Sequence, residues 1–139
     1  MRFALITVLA LSTALLSCSE VDRKKQQYIS YGRLVYQKQC VNCHQADGNG
    51  YEKLYPPLNK ADFLINDPIQ SLCIIVNGAK GEMVVNGDVY NQPMPNFSHL
   101  KADELAKLLT YITNAWDNKG KLYTDKEIER ALEQNCASK

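Results

Sequence analysis

Cys40-Val41-Asn42-Cys43-His44 brings two thiols and an imidazole together in one short run. On a helix, positions i, i+3 and i+4 share a face, so both sulfurs and the ring can meet the same edge of a flat ligand. This pattern is a haem-attachment sequence: the thiols add to the two vinyl groups of the porphyrin, and the histidine binds the iron from one side. Two other chemistries use paired cysteines. Half of a zinc site would need a second ligand pair, but Cys73 and Cys136 stand 63 residues apart and His99 is isolated. A thioredoxin-like redox pair would need a preceding strand in a βαβ setting, and the sequence offers neither.

An iron held by one histidine needs a second axial ligand unless it is to bind a gas or peroxide. The soft thioether of methionine is the usual choice for electron transfer, where it favours the ferrous state. Met83 and Met94 are the candidates. Methionine commonly fills irregular gaps in a core, and Met83 is read that way. Met94 lies in Gln92-Pro93-Met94-Pro95-Asn96-Phe97, a proline-bracketed loop that leaves its side chain little freedom, as ligation requires. His99, five residues on at a helix entrance, is expected in solvent.

The elements that must position these groups read as helices. Tyr28, Tyr31, Leu34 and Val35 recur at helical spacing, predicting an amphipathic helix from Tyr28 to about Cys43. Residues 45-60, with Asp47-Gly48, Asn49-Gly50 and Pro56-Pro57, read as loop. Asp67 as N-cap and Pro68 at the first helical position open a short helix carrying Ile69, Leu72, Cys73 and Val76, ended by Gly78. Residues 78-100 are broken by glycine and proline, and Met83-Val85 is the only segment with any strand character. Leu105, Leu108, Leu109, Ile112, Ala115 and Trp116 form a third helical stripe, with Leu100 placed to staple onto Leu105. Thr124 and Glu127 form a capping box for a last helix with Ile128, Ala131, Leu132 and Cys136 on one side. The expectation is an all-α fold whose long loops need something to pack on.

The chain has 139 residues, 45% of them apolar, with 16 basic and 15 acidic side chains and a net charge of +1. That suits one compact domain and counts against disorder and against nucleic acid as a partner. Arg2 is followed by an uncharged run, Phe3 to Leu16, of signal-peptide length and short for a membrane span. Leu15-Leu16-Ser17-Cys18 at its end resembles the lipobox of bacterial lipoproteins, which implies a lipid on Cys18 and attachment to a membrane. An ordinary secreted protein, with Cys18 in or near the cleavage site, is the other reading. The domain plan is then a signal peptide over 1-17, a lipidated polar tether over 18-27, a main domain over 28-118 and a C-terminal helical extension over 119-139.

With the haem motif and the Met94 loop in place, residues 28-118 resemble the single-haem, class I type of cytochrome c. The resemblance implies three core helices packed around one covalent haem c, to which the last helix is added. Gly32 and Tyr36 resemble the glycine and aromatic by which the family's first helix crosses its last, here the helix of Tyr111 and Trp116. Pro56-Pro57-Leu58 resembles the family's P-x-L segment, which implies that the Pro56 carbonyl accepts the second-ring N-H of His44 and that Leu58 touches haem. Lys101 stands where the family often has a Ser or Thr helix cap.

Five cysteines remain to be divided. Cys18 goes to lipid and Cys40 and Cys43 to haem, which leaves Cys73 and Cys136 to pair in an oxidising compartment or to stand as separate buried thiols. The functional expectation is an exported, membrane-anchored electron carrier, with the haem domain in the periplasm or at the cell surface. It would pass one electron from a donor complex to an oxidase or reductase, with no catalysis of its own. A cytochrome subunit docked to a dehydrogenase or oxidase and a haem-based gas or peroxide sensor are the alternatives.

Overall fold

The computed structural model describes residues 19–137, so the expected signal peptide and the lipidation site Cys18 lie outside the described residues. Six helices and one hairpin follow in order: α1 Glu20–Gln39, α2 Val41–His44, α3 Asp62–Asn66, α4 Pro68–Asn77, β1 Met83–Val85, β2 Asp88–Tyr90, α5 Ala102–Ile112 and α6 Asp125–Gln134. The fold is mostly helical, as the sequence predicts, and α1 across α5 is its largest contact between elements.

The packed face of α1 consists of Tyr28, Gly32 and Tyr36, four residues apart. A Cβ at Gly32 would collide with the Lys107 carbonyl oxygen and stand 2.6 Å from the Tyr111 Cβ, so the crossing needs a residue without one. Tyr36 fills the space beside it, with ring centroids 5.5 Å from Tyr111 and 5.4 Å from Trp116. Tyr31 and Leu34, expected on the buried stripe, are instead 50% and 57% exposed. Leu34 lies about 200° around the helix from Gly32, so it cannot share the glycine's face.

Other boundaries also differ from expectation. α1 begins at Glu20, so residues 20–27, read as a polar tether, are helical. Ser19 caps them by accepting the Asp22 N–H at 3.1 Å, and Glu20 and Asp22 complement the helix dipole. At Cys40 the helix breaks, and α2 restarts as one turn carrying Cys43 and His44. α5 ends at Ile112, short of the predicted Ala115 and Trp116. Thr113 and Asn114 bond back to Leu109 O (2.7 Å) and Thr110 O (2.8 Å), and Trp116 takes φ 54°, leaving the helix with its indole N–H on Ala46 O at 3.0 Å. Lys101 opens α5 without a hydroxyl because the Glu104 carboxylate accepts its backbone N–H at 3.0 Å.

α3 went unread in the sequence, and of the hairpin only the strand character of Met83-Val85 was read. α3 has no side-chain cap of its own. The hairpin pairs Met83 with Tyr90, Val84 with Val89 and Val85 with Asp88. Its turn is Asn86-Gly87, with φ of 54° and 83°, the left-handed geometry that two-residue hairpin turns demand. Asp62 and Asn86 exchange backbone-to-side-chain bonds of 2.9 and 2.8 Å, tying α3 to that turn.

The C-terminal extension folds back as expected: Thr124 Oγ1 accepts from the Glu127 N–H at 3.3 Å, and Glu127 accepts from the Thr124 N–H at 2.8 Å. Cys136, two residues beyond α6, is buried and joined by a disulfide to Cys73 of α4, with Cα atoms 4.8 Å apart. Asn77 adds a bond to the Cys136 carbonyl at 3.0 Å.

Two stability changes follow from this packing. Gly32→Ala should destabilise the holoprotein by about 1–3 kcal/mol through overpacking, read as a lower denaturant midpoint. Replacing Cys73 and Cys136 together by serine should remove up to roughly 4 kcal/mol, the chain-entropy value for a loop of this size. Unchanged midpoints would contradict either account.

Candidate haem-binding site

α2 follows directly on α1, so the crossing that fixes α1 also fixes the attachment motif. His44 is buried, and its ring Nδ1–H donates to the Pro56 carbonyl at 2.9 Å. Burial holds its pKa below the ordinary value, against the opposing pull of that bond. Burial thus disfavours the charged ring, and with Nδ1–H held by Pro56 it is Nε2 of the neutral ring that has the lone pair for a metal. The Pro56 segment is itself fixed, because the N–H groups of Leu58 and Asn59 both donate to Gly48 O, at 2.7 and 2.9 Å.

The Met94 loop is anchored by more than its prolines. Met94 and Ala79 exchange two backbone hydrogen bonds, each 3.0 Å, and the Phe97 N–H donates to Ile75 O at 2.9 Å. Gly78, at φ 76°, allows this approach: a Cβ there would stand 2.7 Å from Met94 O. The segment is thus clipped to the end of α4 at two points.

Between these walls lies an open, largely apolar cleft. It gathers every residue the sequence assigned to haem: Cys40, Cys43, His44, Pro56, Leu58 and Met94. Leu108 and Ile112 of α5 supply apolar wall, and the hairpin adds Val85, Tyr90 and Met83. A large apolar cleft edged by two thiols, one imidazole and a thioether fits a porphyrin and its iron. His99 is exposed and does not line it.

The other cysteine chemistries fit poorly. Burial, with a smaller contribution from Cys43, pushes the Cys40 thiol up to about 12, opposite to the depressed pKa of a redox-active pair. Among the described residues no group of three or more His, Cys, Asp or Glu side chains is arranged to hold a metal ion.

The sequence reading missed the hairpin's share of the cleft and the Ala79 clip. Asn86-Gly87 between short apolar runs was a usable hairpin signal. A backbone bridge between Ala79 and Met94 leaves no mark in side-chain pattern. The reading also missed buried Asn118, which accepts from the Lys60 N–H at 2.8 Å and donates to Leu58 O at 2.9 Å and Ile112 O at 2.8 Å. It joins the Leu58 side of the cleft to the end of α5.

Known proteins resemble this chain in sequence. The family model described as Cytochrome c matches residues 29–116. Cytochrome c-552 of Thermus thermophilus is 33% identical over 108 residues, covering 71% of this chain and 82% of that protein. The cytochrome c subunit of a quinone alcohol dehydrogenase from Gluconobacter oxydans is 31% identical over 88 residues, 63% of this chain but 18% of that subunit. Matched along most of its folded body, and with its attachment motif opening on a cleft of the right chemistry, the chain belongs to the cytochrome c family: it is a single-haem electron carrier with covalently bound haem c, not an enzyme.

Proposed function

We propose that this cytochrome is exported, held to a membrane by lipid on Cys18, and carries one electron at a time on a haem ligated by His44 and Met94. The observation that carries the reading is the convergence of Cys40, Cys43, His44 and Met94 on one cleft, with Met94 clipped to Ala79. Bound haem supplies a one-electron ferric/ferrous couple.

The chain's own residues set the terms on which that couple works. Cys40 and Cys43 would hold the porphyrin edge, and the Pro56 carbonyl orients His44 and would make it a stronger ligand. The Met94 loop, clipped to Ala79 and Ile75, would present its thioether to the iron with little freedom to move. Leu58, Leu108 and Ile112 exclude water from the cleft, which favours the ferrous, less charged state. Held by His44 and Met94 together, a bound haem would offer no open iron site to a substrate. The anchor rests on the run ending in Leu15-Leu16-Ser17-Cys18. No helix among the described residues is long and apolar enough to cross a membrane. Donor and acceptor are then redox proteins reached along the membrane surface, with the haem domain on the periplasmic side or at the cell surface.

A second reading, a cytochrome docked to a dehydrogenase, is favoured by the likeness to the quinone alcohol dehydrogenase subunit. The exposed pair Val84 and Val89 on the outer face of the hairpin, 56% and 53% accessible, offers apolar surface for it.

Optical spectra of the holoprotein test the ligation. The oxidised form should show the far-red methionine-to-iron band, and the reduced form should not bind carbon monoxide. Met94→Ala should lose the band and gain carbon monoxide binding, whereas Met83→Ala should change neither. Loss of the band in Met83→Ala alone would move the ligand to Met83.

A further inference from the structure

The membrane-anchored reading leaves open how the haem body stands relative to its lipid, and α1 bears on this. It runs without a break from Glu20 to Gln39, with the haem motif directly after its last residue and the proposed acyl site two residues before its first. Only Ser19 lies between Cys18 and the helix, and Ser19 is committed as its N-cap. Twenty helical residues span about 30 Å at 1.5 Å each.

The first turns of α1 are also braced. Lys25 Nζ donates to the Gly120 carbonyl at 2.8 Å, and Tyr28 OH donates to Asp125 Oδ1 at 2.8 Å. Within the helix, the Lys24 ammonium lies 5.4 Å from the Tyr28 ring centroid. Both external partners belong to the C-terminal extension, which is itself held to α4 by the Cys73–Cys136 disulfide. The extension thus links the lipid end of α1 to the wall from which the Met94 loop hangs.

We infer that α1 and the C-terminal extension form a rigid stalk that sets the haem motif about 30 Å along the helix axis from Ser19, the residue next to the proposed lipid site. The inference rests on the lipid-anchored reading and adds the kind of partner that it suits. Electrons pass to and from membrane-standing complexes whose redox centres project well above the bilayer, because a stalk cannot supply the wide search of a flexible tether.

The test uses the mature holoprotein on vesicles of phosphatidylethanolamine and phosphatidylglycerol carrying a headgroup fluorophore. Hydrogen exchange at residues 24–28 should be at least about tenfold slower than in a coil, since these amides are helical and braced. A flexible Gly-Ser segment inserted between Ser19 and Glu20 should let the haem body reach the surface and raise haem quenching of the fluorophore above wild type. Lys25→Ala combined with Tyr28→Phe should speed exchange in the first turns and leave the haem spectrum unchanged. Coil-rate exchange in an acylated wild-type chain, or equal quenching with and without the insertion, would overturn the stalk alone. A mature chain that carries no acyl mass would overturn the anchor and the stalk with it.

Discussion

The close passage of Gly32 against the Lys107 carbonyl and the Tyr111 side chain governs the rest of the molecule. It sets the angle and distance of the two long helices, and α1 delivers Cys40, Cys43 and His44 while α5 supplies Leu108 and Ile112 to the same cleft. One missing Cβ therefore acts at a distance on the cofactor site. The aromatic group of Tyr36, Tyr111 and Trp116 fills the space beside the glycine and makes the crossing specific, since such edge-on aromatic contacts add to their burial.

Around that crossing, the loops are held by backbone bonds and by single polar side chains, not by sheet or bundle. The Pro56 segment hangs from Gly48, the Met94 segment from Ala79 and Ile75, and the turn of the hairpin from Asp62. Asn118 closes the circuit between the Leu58 side and α5. No buried side-chain nitrogen or oxygen among the described residues lacks a partner. The polar parts of the scaffold are therefore satisfied by the chain itself, and the apolar cleft is left for the cofactor to fill.

How much of this the sequence disclosed depends on which force wrote the feature. Chemistry-bearing residues were legible because their spacing is dictated by covalent reach, as in Cys40 to His44. Caps were legible because a side chain makes them, as with Asp67, which accepts from the Gln70 N–H at 2.9 Å, and Thr124 with Glu127. The start of α1 was not, because residues 20–27 bury no apolar stripe and owe their helicity to Ser19, to the dipole and to two bonds from a segment almost a hundred residues away. The end of α5 was misread because Trp116 belongs to the core through a left-handed turn, not through helical periodicity. The clip between Ala79 and Met94 is made by main chain, which carries no signature at all.

The disulfide has a bearing on how the protein is made. One link among the four described cysteines could form in six ways, and only the Cys73–Cys136 link leaves both Cys40 and Cys43 unoxidised. Exchange between pairings proceeds through the thiolate, and burial raises the Cys40 thiol to about 12, so in the folded chain that form is scarce near neutral pH. Once the Cys73–Cys136 link has closed, the buried Cys40 is therefore a poor attacker of it, and the fold itself keeps that thiol apart from the disulfide that ties down the C-terminal extension.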